Sequence, residues 1–235
     1  MGQVVEDFER RAVEVRKFIR MLARMEQPET ELEQGSPGEQ RAIRIDEEWL
    51  RVGKAAAYLM LYNVVEASLR SAFAELYGAI RSEKLKHGLI SKAVRQVWIE
   101  QRHRRVSNED AAPKNYLETA KSLIEDVVVG AIVELDPGRL PGAGSLDAKR
   151  IRQILDKHGC QLVTNPRARG GDALSTVKRL RNHLAHGQVS FSECGRDVAI
   201  RDLVQVARET RLFMRGVLTS LENYASQKAY ATTQR

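Results

Sequence analysis

Between Asp46 and about Glu83, apolar and aromatic residues return at steps of three and four: Tyr58, Leu61, Tyr62, Val65, Leu69, Phe73, Leu76 and Ile80. A helix turns about 100° per residue, so this spacing lays all eight side chains along one stripe. A stripe this long can only be buried by other elements of similar reach. Ala55, Ala56 and Ala57 at its start permit close helix packing. Further windows supply matching stripes. Residues 4 to about 26 interleave Phe8, Val13, Val15, Phe18, Ile19 and Leu22 with Glu and Arg, as an amphipathic helix does. Ile200 to about Tyr230 carries Leu203, Val206, Thr210, Phe213, Val217, Leu221 and Tyr224 on one side. Shorter helices are expected over Ile90–Gln101, over Tyr116–Asp126 after Pro113 and Asn115, and over "DAKRIRQILDKHG". Ser145 and Asp147 can cap the last of these and Gly159 can end it.

The connections are read from turn chemistry. "EQPETELEQGSPGEQ" breaks the helical period with two prolines, two glycines and several acids, which predicts a solvated loop over 27–45. "VVVGAIVELDPGRLPGAG" mixes β-branched and turn residues, which predicts a short irregular or strand-like insertion around 127–145. "QLVTNPRARGGD" reads as a loop whose Asp172 can cap the next helix, and "GQVSFSECGRD" as a short connector. The expectation is an all-α bundle in a single domain, 1–235. Its core spans about 46–227, behind an N-terminal helix over 1–26.

Composition narrows the class. With 43% hydrophobic and 29% charged residues, the chain can bury a core and still be solvated. Its longest apolar runs, "AAAYLML" and "VVVGAIV", are far too short to cross a bilayer. The N-terminus "MGQVVEDFERRAVEV" carries acids early and no signal core, so a cytoplasmic location is expected. Cys160 and Cys194 form no CxxC pair and are read as reduced thiols. The net charge of +7 comes mainly from 27 Arg against 11 Lys. Arginine offers planar, bidentate recognition of phosphate, which suits a nucleic-acid partner. Solvated basic helix faces account for the same composition equally well.

"RLRNHLAHGQVSF", residues 179–191, holds the candidate chemistry. His183 and His186 lie three apart, close enough on a helix to share a ligand sphere. Zinc needs three or four ligands, and no HExxH and no cysteine pair accompanies them, so no metal and no cofactor is assigned. Arg181 and His186 are five residues apart and would splay by about 140° on an unbroken helix. Gly187 can end the helix there, or a second copy of the chain can complete the site across an interface. Imidazole can take or give a proton near neutral pH, and a guanidinium can hold charge developing on a phosphate. That pairing suits RNA cleavage, in which the 2′-hydroxyl supplies the nucleophile. Spacing alone does not select it, because Arg81…His87 and Arg152…His158 lie at similar separations.

The flanking residues are more selective. "VKRLRNHLAHG" resembles the signature helix of the HEPN superfamily: an Arg, a polar residue that is often Asn, and a His four to six residues on. "AYLMLYNVVEASLR", "AGSLDAKRIRQIL" and "SFSECGRD" resemble, in the same order, segments of its RiboL-PSP-HEPN branch. The likeness covers about residues 50–225. It implies a HEPN-type helical bundle that forms a homodimer through facing motif helices. It also implies a metal-independent endoribonuclease that cleaves cellular RNA to a 2′,3′-cyclic phosphate and a 5′-hydroxyl, as a toxin or antiphage effector with a possible antitoxin or defence-system partner. Carried onto this chain, His186 is the acid/base, Arg181 stabilises the phosphate, and Asn182 orients the helix pair or the scissile phosphate. Gln188 stands where some HEPN toxins carry a modifiable Tyr, which argues against that mode of control.

Supporting roles follow from position. His183 lies outside the motif and reads as a surface or supporting residue. Glu66 interrupts an apolar stripe and needs a partner, which could be Arg181, His186 or another helix. The basic loop Arg102, His103, Arg104, Arg105 and the helical Lys178 and Arg179 are candidate RNA-backbone contacts. A non-catalytic HEPN module that binds RNA or protein is the alternative function, and a helical interaction protein with no nucleic-acid role a third.

Overall fold

A computed structural model describes residues 1–27, 31–34, 41–103, 113–140 and 145–232. The eight helices among them are α1 (Gly2–Met25), α2 (Glu47–Ser82), α3 (Lys92–His103), α4 (Pro113–Val128), α5 (Ala148–Lys157), α6 (Ala173–Ala185), α7 (Phe191–Arg196) and α8 (Ile200–Ser226). The expected all-α bundle is therefore found.

α2 is the axis of the bundle. At 36 residues it is about 54 Å long, and the Asp46 side chain starts it by accepting from the Glu48 N–H at 2.9 Å. The eight residues of the expected stripe are all buried, but so are Ala57, Val64, Ala72 and Tyr77. Burial on more than one side follows from its position, since α1, α6, α7 and α8 all pack against it. α1 runs antiparallel to it. The Met1 ammonium pairs with Glu75 at one end, and Lys54 pairs with Glu26 at the other. Phe8, Val15, Ile19 and Leu22 of α1, with Phe213, Val217 and Leu221 of α8, enter the same core. The chain end closes onto α3, where the Ser91 N–H donates to the Tyr230 carbonyl at 2.8 Å.

Three connections depart from expectation. The segment predicted as a solvated loop contains a two-stranded antiparallel ribbon, β1 (Glu31–Gln34) and β2 (Arg41–Arg44), with Leu32 opposite Ile43. Strands of four residues give too short an alternation to register against Gly35, Pro37 and Gly38. The "SFSECGR" connector is the helix α7. Its Ser190 hydroxyl accepts from the Glu193 N–H at 3.1 Å, and the Glu193 carboxylate accepts from the Ser190 N–H at 2.8 Å. This reciprocal capping box is written in the sequence as Ser-x-x-Glu. Asp172 occupies the start of α6, but its side chain accepts no capping bond.

Among the described residues of the insertion around 127–145, the chain is irregular rather than strand-like. Val127 and Val128 finish α4, one isolated bridge joins Lys86 to Ile132, and a single 3-10 turn covers Pro137–Arg139.

α7 fits against α2 because residue 195 is glycine. A Cβ there would lie 1.9 Å from the Arg51 carbonyl oxygen. No side chain can occupy that gap without separating the two helices.

Candidate active site

α6 carries the Arg-Asn-x-x-x-His motif, and Leu174, Val177 and Leu184 bury one of its faces. Arg181 and Asn182 are half-buried, while Arg179 and His186 are exposed. The Arg181 guanidinium lies over the ring of Tyr62 on α2, 4.5 Å from its centroid. Its Nη1 also donates to Asn182 Oδ1 at 2.9 Å. An arginine held on an aromatic face keeps its charge while losing rotamer freedom, so its direction is set in advance.

Tyr62 is itself fixed. It is 1% exposed, and its hydroxyl accepts from the Leu146 N–H at 3.2 Å. The next residue, Asp147, uses one carboxylate oxygen to cap α5, accepting from the Arg150 N–H at 2.7 Å. The other accepts from Lys178 Nζ at 2.8 Å. Burial pushes this carboxyl up, but the Lys178 ammonium and the Arg150 N–H together hold it below the ordinary aspartate value. Leu146 and Asp147 thus tie α2 to α6 on either side of the Arg181 stack. This explains locally why "SLDAKR" follows the irregular insertion.

His186 ends the helix. Gly187 adopts φ +63°. The Gln188 N–H donates to the His183 carbonyl at 2.9 Å, and the Gly187 N–H to the Leu184 carbonyl at 3.2 Å. This pair of bonds is a Schellman motif, and glycine is the residue that takes its left-handed position without a steric cost. The helix therefore stops as the sequence suggested, and His186 takes φ −95°, ψ 5° outside regular helix. Its imidazole is exposed and makes no hydrogen bond or ion pair among the described residues.

The other predicted residues fall into different settings. Glu66 pairs with Arg70 one turn on, at 3.0 Å. The α2 side chain that meets Arg181 by ring contact is Tyr62, one turn earlier. His183 is half-buried on α6. Lys178 is engaged by Asp147, whereas Arg179 is exposed and unpaired among the described residues. Arg102 bonds Asp126 of α4 at 3.2 Å and sits over the Trp98 ring at 5.4 Å, so it ties α3 to α4. Arg104 and Arg105 lie outside the described residues.

Sequence reasoning missed Tyr62 because an aromatic on an apolar stripe reads as core. Its signal was the phenol oxygen, a buried polar group that needs a partner.

Cys160 and Cys194 are both free, and burial raises both thiols, Cys160 to about 11. Among the described residues, no group of three or more His, Cys, Asp or Glu is placed to hold a metal ion. None of their helices is long and apolar enough to cross a membrane.

A family model described as MAE_28990-like HEPN matches residues 2–230. No curated protein and no solved structure matches the chain.

Proposed function

The chain belongs to the HEPN family, and from that premise we propose that it is a metal-independent endoribonuclease acting through Arg181, Asn182 and His186. One observation carries this reading. Arg181 is held on Tyr62 and bonded to Asn182, and the exposed His186 lies five residues on, at a helix end shaped by Gly187.

In this mechanism the neutral His186 imidazole accepts the proton of a ribose 2′-hydroxyl. The 2′-oxygen attacks the adjacent phosphorus, the bond from phosphorus to the 5′-oxygen breaks, and the imidazolium returns its proton to that oxygen as it leaves. Arg181 holds the charge on the non-bridging oxygens, the role an oxyanion hole plays in acyl transfer. The products are a 2′,3′-cyclic phosphate and a 5′-hydroxyl.

Arg181 lies within α6 and His186 caps its C-terminal end, five residues on, so the two project in different directions from one helix. We therefore assign the working site to a homodimer in which two α6 helices face each other. The biological setting that fits such an enzyme is growth arrest or antiphage defence in the cytoplasm, with an antitoxin or defence-system partner.

The test is cleavage of total cellular RNA in excess EDTA by the wild type, His186→Ala and Arg181→Ala. Cleavage by the wild type alone, leaving cyclic-phosphate ends, supports the proposal. Undiminished cleavage by His186→Ala, or strict dependence on a divalent ion, overturns it. The exposed, unbonded His186 also fits a module that binds RNA without cutting it. Salt-sensitive RNA binding with no cleavage by any variant would select that reading.

A further inference from the structure

Residues of α1, α2 and α8 line a cleft of about 320 Å³ to which α6 contributes nothing. α1 and α8 are held together at Glu9, which takes Arg211 at 2.7 Å and Arg215 at 3.7 Å. The cleft's lining runs from Phe8 to Arg20 along α1 and from Val204 to Arg211 along α8. Phe8, Val15 and Ile19 of α1 and Leu61 and Val64 of α2 make the interior walls apolar.

Charge at its rim sets this cleft apart from a packing gap. Its rim carries Arg16, Arg20 and Arg208, all exposed, and none of them is in an ion pair among the described residues.

We propose that this cleft binds a small amphipathic anion: an unbranched aliphatic chain ending in a carboxylate or a phosphate. The walls offer no amide or carboxylate side chain to read a base or a sugar, which leaves hydrocarbon as the body that fits them. The rim guanidiniums match an oxyanion head, bidentately in either form. The size agrees with small-molecule sites, which begin at roughly 300 Å³. Leu61 lines the cleft while its neighbour Tyr62 carries Arg181, so the two sites lie on different sides of α2 and can be tested separately.

The experiment is calorimetric titration of the full chain with sodium decanoate, decyl phosphate, 1-decanol and decylammonium, each below its micelle concentration. The expected result is saturable binding of one or both anions and no comparable binding of the alcohol or the cation. The preferred anion identifies the head group. Arg16→Glu with Arg208→Glu alters only exposed positions and should weaken anion binding at least tenfold. Ala207→Trp should abolish it by filling the cleft. A melting curve checks its fold, and the exposed charge-reversed pair decides the matter if Ala207→Trp does not fold. Failure of both anions to bind the wild type overturns the proposal. Equal affinity for decanoate and decylammonium, or unchanged anion binding by the charge-reversed pair, also overturns it. So does binding of an acidic amphipathic helical peptide but neither alkyl anion, which would make the cleft a protein groove. RNA cleavage enters none of these readouts.

Discussion

The guanidinium of Arg181 rests 4.5 Å from the centre of the Tyr62 ring, and the Tyr62 hydroxyl accepts from the backbone of Leu146. The two contacts separate by substitution. Tyr62→Phe keeps the ring and removes only the bond to Leu146, so its RNA cleavage should stay within about threefold of wild type. Tyr62→Leu removes the platform, and a cation–π contact of about 1 kcal/mol or more predicts a fall of roughly five- to thirtyfold in kcat. Equal activity of the Leu and Phe variants would show that the stack does not position Arg181.

Gly187→Ala tests the helix end. No neighbour would touch the added Cβ, so any effect comes from the backbone at φ +63°. The left-handed conformation costs an alanine roughly 1–2 kcal/mol. A thermal midpoint lowered by a few degrees is expected, together with a larger loss of cleavage as His186 is displaced. A variant as stable as wild type would show that the Schellman end imposes no such constraint.

Gly195→Ala is the opposite case, in which space rather than φ is the limit. Its Cβ would meet the Arg51 carbonyl oxygen at 1.9 Å. Separating α7 from α2 should cost about 1–3 kcal/mol or more, read as a lower urea midpoint at unchanged slope.

Buried His158 makes the fold sensitive to acid. Its Nδ1 faces the Ile154 carbonyl at 2.7 Å and therefore carries the proton, while Nε2 accepts from the Tyr77 hydroxyl, also at 2.7 Å. Burial lowers its pKa to about 4. The unfolded chain, near 6.5, takes up the proton first, so this contribution is complete above about pH 6.5 and is lost as pH falls toward 4. Stability should drop by roughly 2–3 kcal/mol between pH 7 and pH 4.5 from this group. His158→Leu, although less stable at pH 7, should show a correspondingly shallower decline in denaturant midpoint. An unchanged pH slope would contradict the assignment.

Arg102 distinguishes a structural from an RNA-binding role. Bonded to Asp126 and lying over Trp98, it should lower stability when replaced by Ala and leave the salt dependence of RNA binding unchanged. Arg179→Ala should leave stability alone and reduce the salt slope by about one phosphate contact.

Long periodic segments were legible because each buries one side against neighbours of similar length. The stripe from Tyr58 to Ile80 and the amphipathic patterns of α1 and α8 named most of the core. The ribbon at 31–44 and the six-residue α7 were too short for periodicity to find, although Ser190 and Glu193 spelled out the cap. In the candidate site, the motif and its glycine stop could be read along the chain. What Arg181 and Lys178 touch could not be read, because Tyr62 and Asp147 come from distant segments. A lysine in a basic run looks available for RNA until its carboxylate partner is seen.

Asp147 accepts from the first turn of α5 with one oxygen and from the middle of α6 with the other. The start of one helix and the middle of the next therefore share a single carboxylate, and movement of that carboxylate is felt by both. In amide hydrogen exchange, the Arg150 N–H should report on the motif helix: Lys178→Met should speed exchange at α5, and Asp147→Ala should loosen both at once.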